Sequence, residues 1–144
     1  MRVALDTQLF VEAIRSEAAR AELRAFYARA VWITWLSAVV AHELSAGARA
    51  RGPGESEEDL LRPFVLRGRT FTPSYGAWRR SGEALAALNA RRRIDRDSIT
   101  KSFGNDLLLA ASCAEERIVL ITRNTRDFAL IAEEIPFAFV EPWP

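Results

Sequence analysis

An α/β fold with a parallel sheet covered on both faces is the expectation from this sequence, and three stretches carry it. Ile118-Val119-Leu120-Ile121 is a short β-branched run without alternation, as a central strand buried on both faces requires. Just before it, Leu107, Leu108, Leu109, Ala110, Ala111, Cys113 and Ala114 leave a helix no polar face, which marks that helix as buried. At the start, Arg2-Val3-Ala4-Leu5 is an apolar opening that stops abruptly at Asp6-Thr7-Gln8. In open parallel sheets ligands sit beyond the carboxyl ends of the strands. The polar turn at 122–127, directly after the central strand, is therefore where chemistry is expected.

The elements follow in order. Residues 2–5 form the first strand, and Leu9, Phe10, Ala13 and Ile14 begin a short helix that Asp6 either caps or faces as a chemical group. Ser16 opens a second helix, in which Leu23, Phe26, Tyr27 and Ala30 follow helical spacing and read as core. Val31-Trp32-Ile33 is the expected second strand, and Ser37 caps the helix after it. On that helix Leu36, Val40, Leu44 and Gly47 recur on one face, and Glu43 falls on the same face. A carboxylate on a buried face is costly unless it is paired or bound to a cation, so Glu43 needs an arginine or a metal. His42 falls off that face and reads as a surface residue.

Gly52-Pro53-Gly54 breaks the chain, and Ser56-Glu57-Glu58-Asp59 resembles a capping box for a helix carrying Leu60, Leu61, Phe64 and Val65. Pro63 inside that pattern is expected to kink or shorten it. Residues 69–72 form a brief strand ended by Pro73. Ser74 then caps a helix on which Tyr75, Trp78, Gly82, Leu85 and Asn89 share a face with Leu88. Arg91-Arg92-Arg93, with Arg96 and Lys101, makes a basic approach to the buried helix, partly offset by Asp95 and Asp97. Asn105 is the expected N-cap of the buried helix. That places Asp106 in its first turn, where free amides and the dipole favour an ionised carboxyl. Phe137-Ala138-Phe139-Val140 is the last strand.

Composition narrows the functional classes. The 144 residues suit one domain over 1–144, long enough to bury about two-thirds of the surface of the unfolded chain. With 49% hydrophobic and 27% charged residues the balance is that of a soluble globular protein, and no apolar run approaches the ~20 residues that span a bilayer. The amino terminus reads as a strand, not a signal peptide. A single cysteine, Cys113, excludes an intrachain disulfide or a cysteine metal cluster and fits a reducing cytoplasm, and a single histidine excludes multi-histidine sites. Net charge of +1 gives no global case for nucleic acid, although clustered arginines act locally.

Four acids stand out by position: Asp6, Glu43, Asp106 and Asp127. If the first and central strands are parallel neighbours, their carboxyl ends bring Asp6 together with the 122–127 turn. Acids packed closely repel one another unless a cation is present. Oxygen-only donors suit Mg²⁺ or Mn²⁺ better than zinc. The chemistry that such a set points to is metal-dependent hydrolysis of a phosphodiester.

Four segments, LDTQLFVE, SAVVAHELSAG, NDLLLAAS and VLITRNTRDFALI, then resemble in order and interval the PIN domains, specifically the VapC-like toxins of bacterial type II toxin–antitoxin pairs. The resemblance covers essentially the whole chain. It implies a three-layer α/β/α sandwich with a central, mainly parallel sheet, and an Mg²⁺- or Mn²⁺-dependent ribonuclease. It also implies Asp6, Glu43 and Asp106 as metal-site acids. The fourth acid of relatives falls at the place of Asn124 or of Asp127; since Asn124 is an amide, Asp127 is assigned and Asn124 supports it. Thr7 and Thr122 resemble the small hydroxyl residues of the pocket, whereas Gln8 departs from the usual Asn or Ser. Arg123, Arg126 and Arg93 are candidates to meet an RNA backbone, and Trp35 is a candidate base platform or a packing residue. An RNA substrate, a cognate antitoxin and a homodimer follow from the same resemblance. Its alternatives are a housekeeping RNA-processing nuclease and an inactive module that binds RNA or protein. A phosphoryl-transfer receiver is set aside, because Gln8 stands where its second acid belongs and no lysine follows the central strand.

Overall fold

A computed structural model of the chain describes residues 1–51 and 57–144. Its sheet has five parallel strands, β1 (Val3–Leu5), β2 (Thr34–Ser37), β3 (Thr70–Phe71), β4 (Val119–Ile121) and β5 (Phe139–Val140), in the order β3-β2-β1-β4-β5. Seven helices among the described residues flank it: α1 (Thr7–Arg15), α2 (Glu17–Ala30), α3 (Ala38–Arg51), α4 (Glu57–Leu66), α5 (Tyr75–Ala90), α6 (Lys101–Glu116) and α7 (Thr125–Ala132). This is the expected α/β sandwich, with a wholly parallel sheet. Helix α1 packs on α2, α3 and α4, while α6 packs on α5, α7 and α3.

Local sequence explains most of the boundaries. Asp6, Ser16 and Ser74 each cap a helix, accepting from the backbone N–H of Thr7, Ala19 and Ala77. The three residues of β1 are all buried, and Val3, Ala4 and Leu5 pair with Val119, Leu120 and Ile121 of β4. Phe10, Phe64 and Tyr27 form the aromatic centre of one layer, with edge-on contacts at 6.5 Å and 5.4 Å. On α6 the residues from Asp106 to Cys113 are all buried, as a helix without a polar face requires.

Four expectations are corrected. Val31–Ile33 is a 3₁₀ turn rather than the second strand, and Trp32 stays 62% exposed. The strand begins at Thr34, whose buried hydroxyl donates to the Ala30 carbonyl at 2.8 Å. Helix α6 starts at Lys101 under a Thr100 cap instead of at Asn105, so Asp106 sits in its second turn and is not beside free terminal amides. The second half of the turn at 122–127 is the start of α7, which opens at Thr125 with Asp127 in its first turn. On α5 the buried side is Ala77, Ala84 and Leu88, leaving Tyr75 and Trp78 largely exposed.

Helix α4 continues through Pro63 to Leu66, because Phe64 is fully buried and the Tyr27 hydroxyl holds the Leu60 carbonyl at 2.7 Å. The expected break at Gly52-Pro53-Gly54 and the Ser56 end of the capping box lie outside the described residues. No helix among the described residues is long and apolar enough to cross a membrane.

Candidate active site

The strand order changes direction between β1 and β4: β1 leads outward to β2 and β3, and the chain then crosses back to β4 and β5. A crevice opens beyond the carboxyl ends of such a pair. Asp6 is the residue after β1, and its N–H extends the ladder to the Ile121 carbonyl at 3.0 Å. Its Oδ1 accepts from the Thr7 N–H at 2.8 Å, and its Oδ2 accepts from the Thr122 hydroxyl at 2.7 Å. Asp6 therefore caps α1 through one oxygen while Thr122 holds the other.

The other acids connect to it through the two threonines. The Thr7 hydroxyl donates to Glu43 Oε1 at 2.7 Å, so α3 delivers Glu43 to the same crevice. Among the described residues no arginine pairs with Glu43. Thr122 Oγ1 also accepts from the Asn124 N–H at 2.9 Å. The Asn124 amide then donates to Asp127 Oδ2 at 3.2 Å and makes a long 3.5 Å contact to Asp106 Oδ2. Glu43, Thr7, Asp6, Thr122, Asn124 and the pair Asp106 and Asp127 thus form one continuous polar chain across four helices, α1, α3, α6 and α7, and the ends of β1 and β4.

A domain family profile described as PIN domain matches residues 3–134. The chain belongs to the PIN-domain family. No curated protein matches it. Similar solved structures include VapBC2 from Rickettsia felis bound to a DNA fragment from their promoter, at 22% identity, with all of both chains covered and a TM-score of 0.63. FitAcB from Neisseria gonorrhoeae is 20% identical over 98% of each chain, with a TM-score of 0.69. DNA-bound VapBC from Salmonella typhimurium is 19% identical over 98% of each chain, with a TM-score of 0.66. At these identities the fold is what they share with this PIN domain.

The electrostatics of the PIN-domain crevice are those of crowded acids. Asp106, only 7% exposed, has its carboxyl pushed up to about 8, first by burial and then by the charges of Asp6, Glu43 and Asp127. Burial also raises Asp6, against the lowering effect of its hydrogen bonds from Thr122 and Thr7, and the charge of Glu43 adds to the rise. Asp106 on α6 therefore senses the charges of three acids, from α3, α7 and the end of β1, and Asp6 senses that of Glu43.

The donor set fits a hard divalent cation: oxygen atoms only, with negative potential in excess of local positive charge. Among the described residues no three acids stand close enough to form a ready-made cation cage. A Mg²⁺ ion characteristically takes one or two protein carboxylates and keeps several waters, so a fully closed cage is not what it requires.

The arginines divide. Arg93 meets Glu133 through two nitrogens at 3.1 Å and 2.8 Å, and Arg123 meets Glu12 at 3.0 Å and Glu22 at 3.7 Å. Arg126, which lines a cleft with Asp127, has no ion-pair partner among the described residues. Trp35 carries the Arg2 guanidinium over its ring at 5.3 Å and is occupied as a packing surface. Sequence reasoning did not single out Glu12 as the partner that holds Arg123. Only the threading of α1 beside the β4 end brings those residues together, and no local pattern signals it. Thr122→Val removes the hydroxyl that both donates to Asp6 and receives Asn124, at nearly unchanged volume. We expect it to lower turnover by roughly 10- to 100-fold, as loss of an orienting partner does, with helix content by circular dichroism unchanged.

Proposed function

We propose that this PIN domain is an Mg²⁺- or Mn²⁺-dependent endoribonuclease that hydrolyses RNA phosphodiester bonds, and that it is the toxin of a type II toxin–antitoxin pair. The observation that supports the nuclease reading above the others is the continuous chain of polar contacts that ties Glu43, Asp6, Asp106 and Asp127 together at the β1–β4 crevice. A structural set of acids would be matched by arginines, whereas these are matched by two threonine hydroxyls and one amide.

A bound divalent ion supplies a Lewis acid that lowers the pKa of a water and offsets phosphodiester charge during in-line attack. The residues that would hold it, directly or through its waters, are Asp6, Glu43, Asp106 and Asp127. Thr7 fixes Glu43, and Thr122 fixes Asp6 in the rotamer that also caps α1. Asn124 holds Asp106 and Asp127 on one side of the crevice, an arrangement in which an amide is a better neighbour than a fifth acid. Arg126 is the cation best placed to receive the RNA backbone beside Asp127, while Arg93 and Arg123 would have to leave their glutamates to do so.

Likeness to chains of VapBC and FitAcB assemblies supports the toxin reading. An antitoxin segment that covers the crevice, a homodimer and a cytoplasmic location belong to the same reading. The test is cleavage of total RNA by the purified chain with Mg²⁺ or Mn²⁺, compared with the same reaction in EDTA and with Asp6→Asn. Cleavage that needs the ion and falls by more than 100-fold in the variant, a larger loss than an outer partner gives, is the expected result. Equal, EDTA-resistant cleavage in both proteins would overturn it. Growth arrest on expression, relieved by a neighbouring gene, separates a toxin from a housekeeping nuclease.

A further inference from the structure

Helices α3 and α6, which carry Glu43 and Asp106, also line a cleft of about 220 Å³ that the proposed reaction leaves unused. The buried side chains of Val39 and Leu108 line it, together with Pro73, and Trp78 stands at it 60% exposed. His42 and Asn105 complete the lining. Sequence position ties the cleft to the acids, because His42 directly precedes Glu43 on α3 and Asn105 directly precedes Asp106 on α6. One residue step is about 3.8 Å between Cα atoms, so the helix turns that carry Glu43 and Asp106 also wall the cleft.

Three groups here have unspent hydrogen-bonding capacity among the described residues: the Asn105 amide, the His42 imidazole and the Trp78 indole N–H. Asn105 is not consumed as a helix cap, since Thr100 has that role. Trp78 has no aromatic partner among the described residues, unlike Trp143, which packs on Phe26.

We propose that this cleft is a nucleobase subsite, taking one unpaired base of the RNA against Trp78, with its edge read by Asn105 and His42. The inference rests on the nuclease reading and adds to it which residues of this chain hold a base of the substrate. An unpaired base offers a π-face to an exposed indole and a polar edge to an amide, which is both donor and acceptor. A base stacked in a duplex has its faces and its Watson–Crick edge already occupied. An apolar protein side chain in the same cleft would leave the amide, the imidazole and the indole N–H without partners, a cost that a base edge avoids.

The experiment measures binding of fluorescein-labelled single-stranded rA, rC and rU oligomers in EDTA, with intact RNA verified on a gel, for wild type, Trp78→Ala, Trp78→Phe and Asn105→Ala. Trp78 is exposed, so Trp78→Ala is expected to fold. It should weaken the preferred oligomer by roughly 5- to 100-fold, as loss of one stacked base does, while Trp78→Phe retains most of the affinity. Asn105→Ala should bring the affinities for the three oligomers closer together. Oligomer binding should quench tryptophan emission in wild type but not in Trp78→Phe. Equal binding by wild type and Trp78→Ala, with cleavage still dependent on Asp6, overturns the subsite and leaves the nuclease reading intact. Binding that depends on Trp78 with no ion-dependent cleavage does the opposite.

Discussion

Replacing Asp106 with Asn will make the ion-free protein more stable and, on the proposed function, abolish ion-dependent RNA cleavage. Burial and three neighbouring acids push the Asp106 carboxyl up to about 8 from its ordinary 3.8. A folded-state value above the unfolded one means that the group's favourable contribution is complete below pH 3.8 and is lost as pH rises through 8. Between 3.8 and pH 7 lie about three pH units at about 1.4 kcal/mol each, an upper bound of about 4 kcal/mol that relaxation of the crevice will roughly halve. In a chain of 144 residues this corresponds to a rise in Tm of about 5–10 °C. The advantage of Asp106→Asn over wild type should vanish near pH 4 and be largest above pH 8. Mg²⁺ or Mn²⁺ should raise the wild-type Tm by mass action and the variant's much less. A variant no more stable than wild type at pH 8, measured by calorimetry in EDTA, would mean that the acids do not sense one another.

Phe64→Ala will cost about 3–5 kcal/mol, the usual range for deleting a buried phenyl ring. Phe64 is wholly buried on α4, where it meets Phe10 and Tyr27 edge-on and so joins three helices, α1, α2 and α4. A fall in Tm of about 10 °C or more should follow. Val65, the next residue, is 58% exposed, and Val65→Ala should change stability by less than about 0.5 kcal/mol. Thermal unfolding of the two variants side by side separates loss of packing from any general sensitivity of α4. A Phe64→Ala protein as stable as Val65→Ala would show that this layer does not carry the core.

Much of the architecture was readable because burial on both faces leaves an unambiguous pattern. The runs at 2–5 and 118–121 have no polar residue between their apolar ones, and both became paired central strands. Boundaries failed where tertiary contacts outweigh local preference. Gly104 and Asn105 are poor helix formers, so the pattern suggests a start at Asp106, yet α6 runs through both because its N-cap lies at Thr100. The run Val31-Trp32-Ile33 has strand composition, but the Thr34 hydroxyl fastens the turn to Ala30, and pairing begins only after it. Tyr75 and Trp78 follow helical spacing with Leu88, but the side that packs is that of the small residues Ala77 and Ala84, which let α5 approach α6 closely.

In the crevice, the four acids were legible as residues out of place: a carboxylate on an apolar face, and others at strand ends. The bridging work of Asn124 was not, because it depends on a side chain turning away from the cap position of its own helix, where it makes no capping bond. The matching of Arg93 and Arg123 by glutamates on α1, α2 and just past α7 was equally hidden, since it joins residues some 40 to 110 positions apart.

Because β1 is hydrogen-bonded along both of its edges, Asp6 is anchored by two neighbouring strands at once. Sliding it by a single step would require both pairings to part together. A shift in the packing of the outer helices can therefore be absorbed without moving the backbone that carries the acid beyond β1.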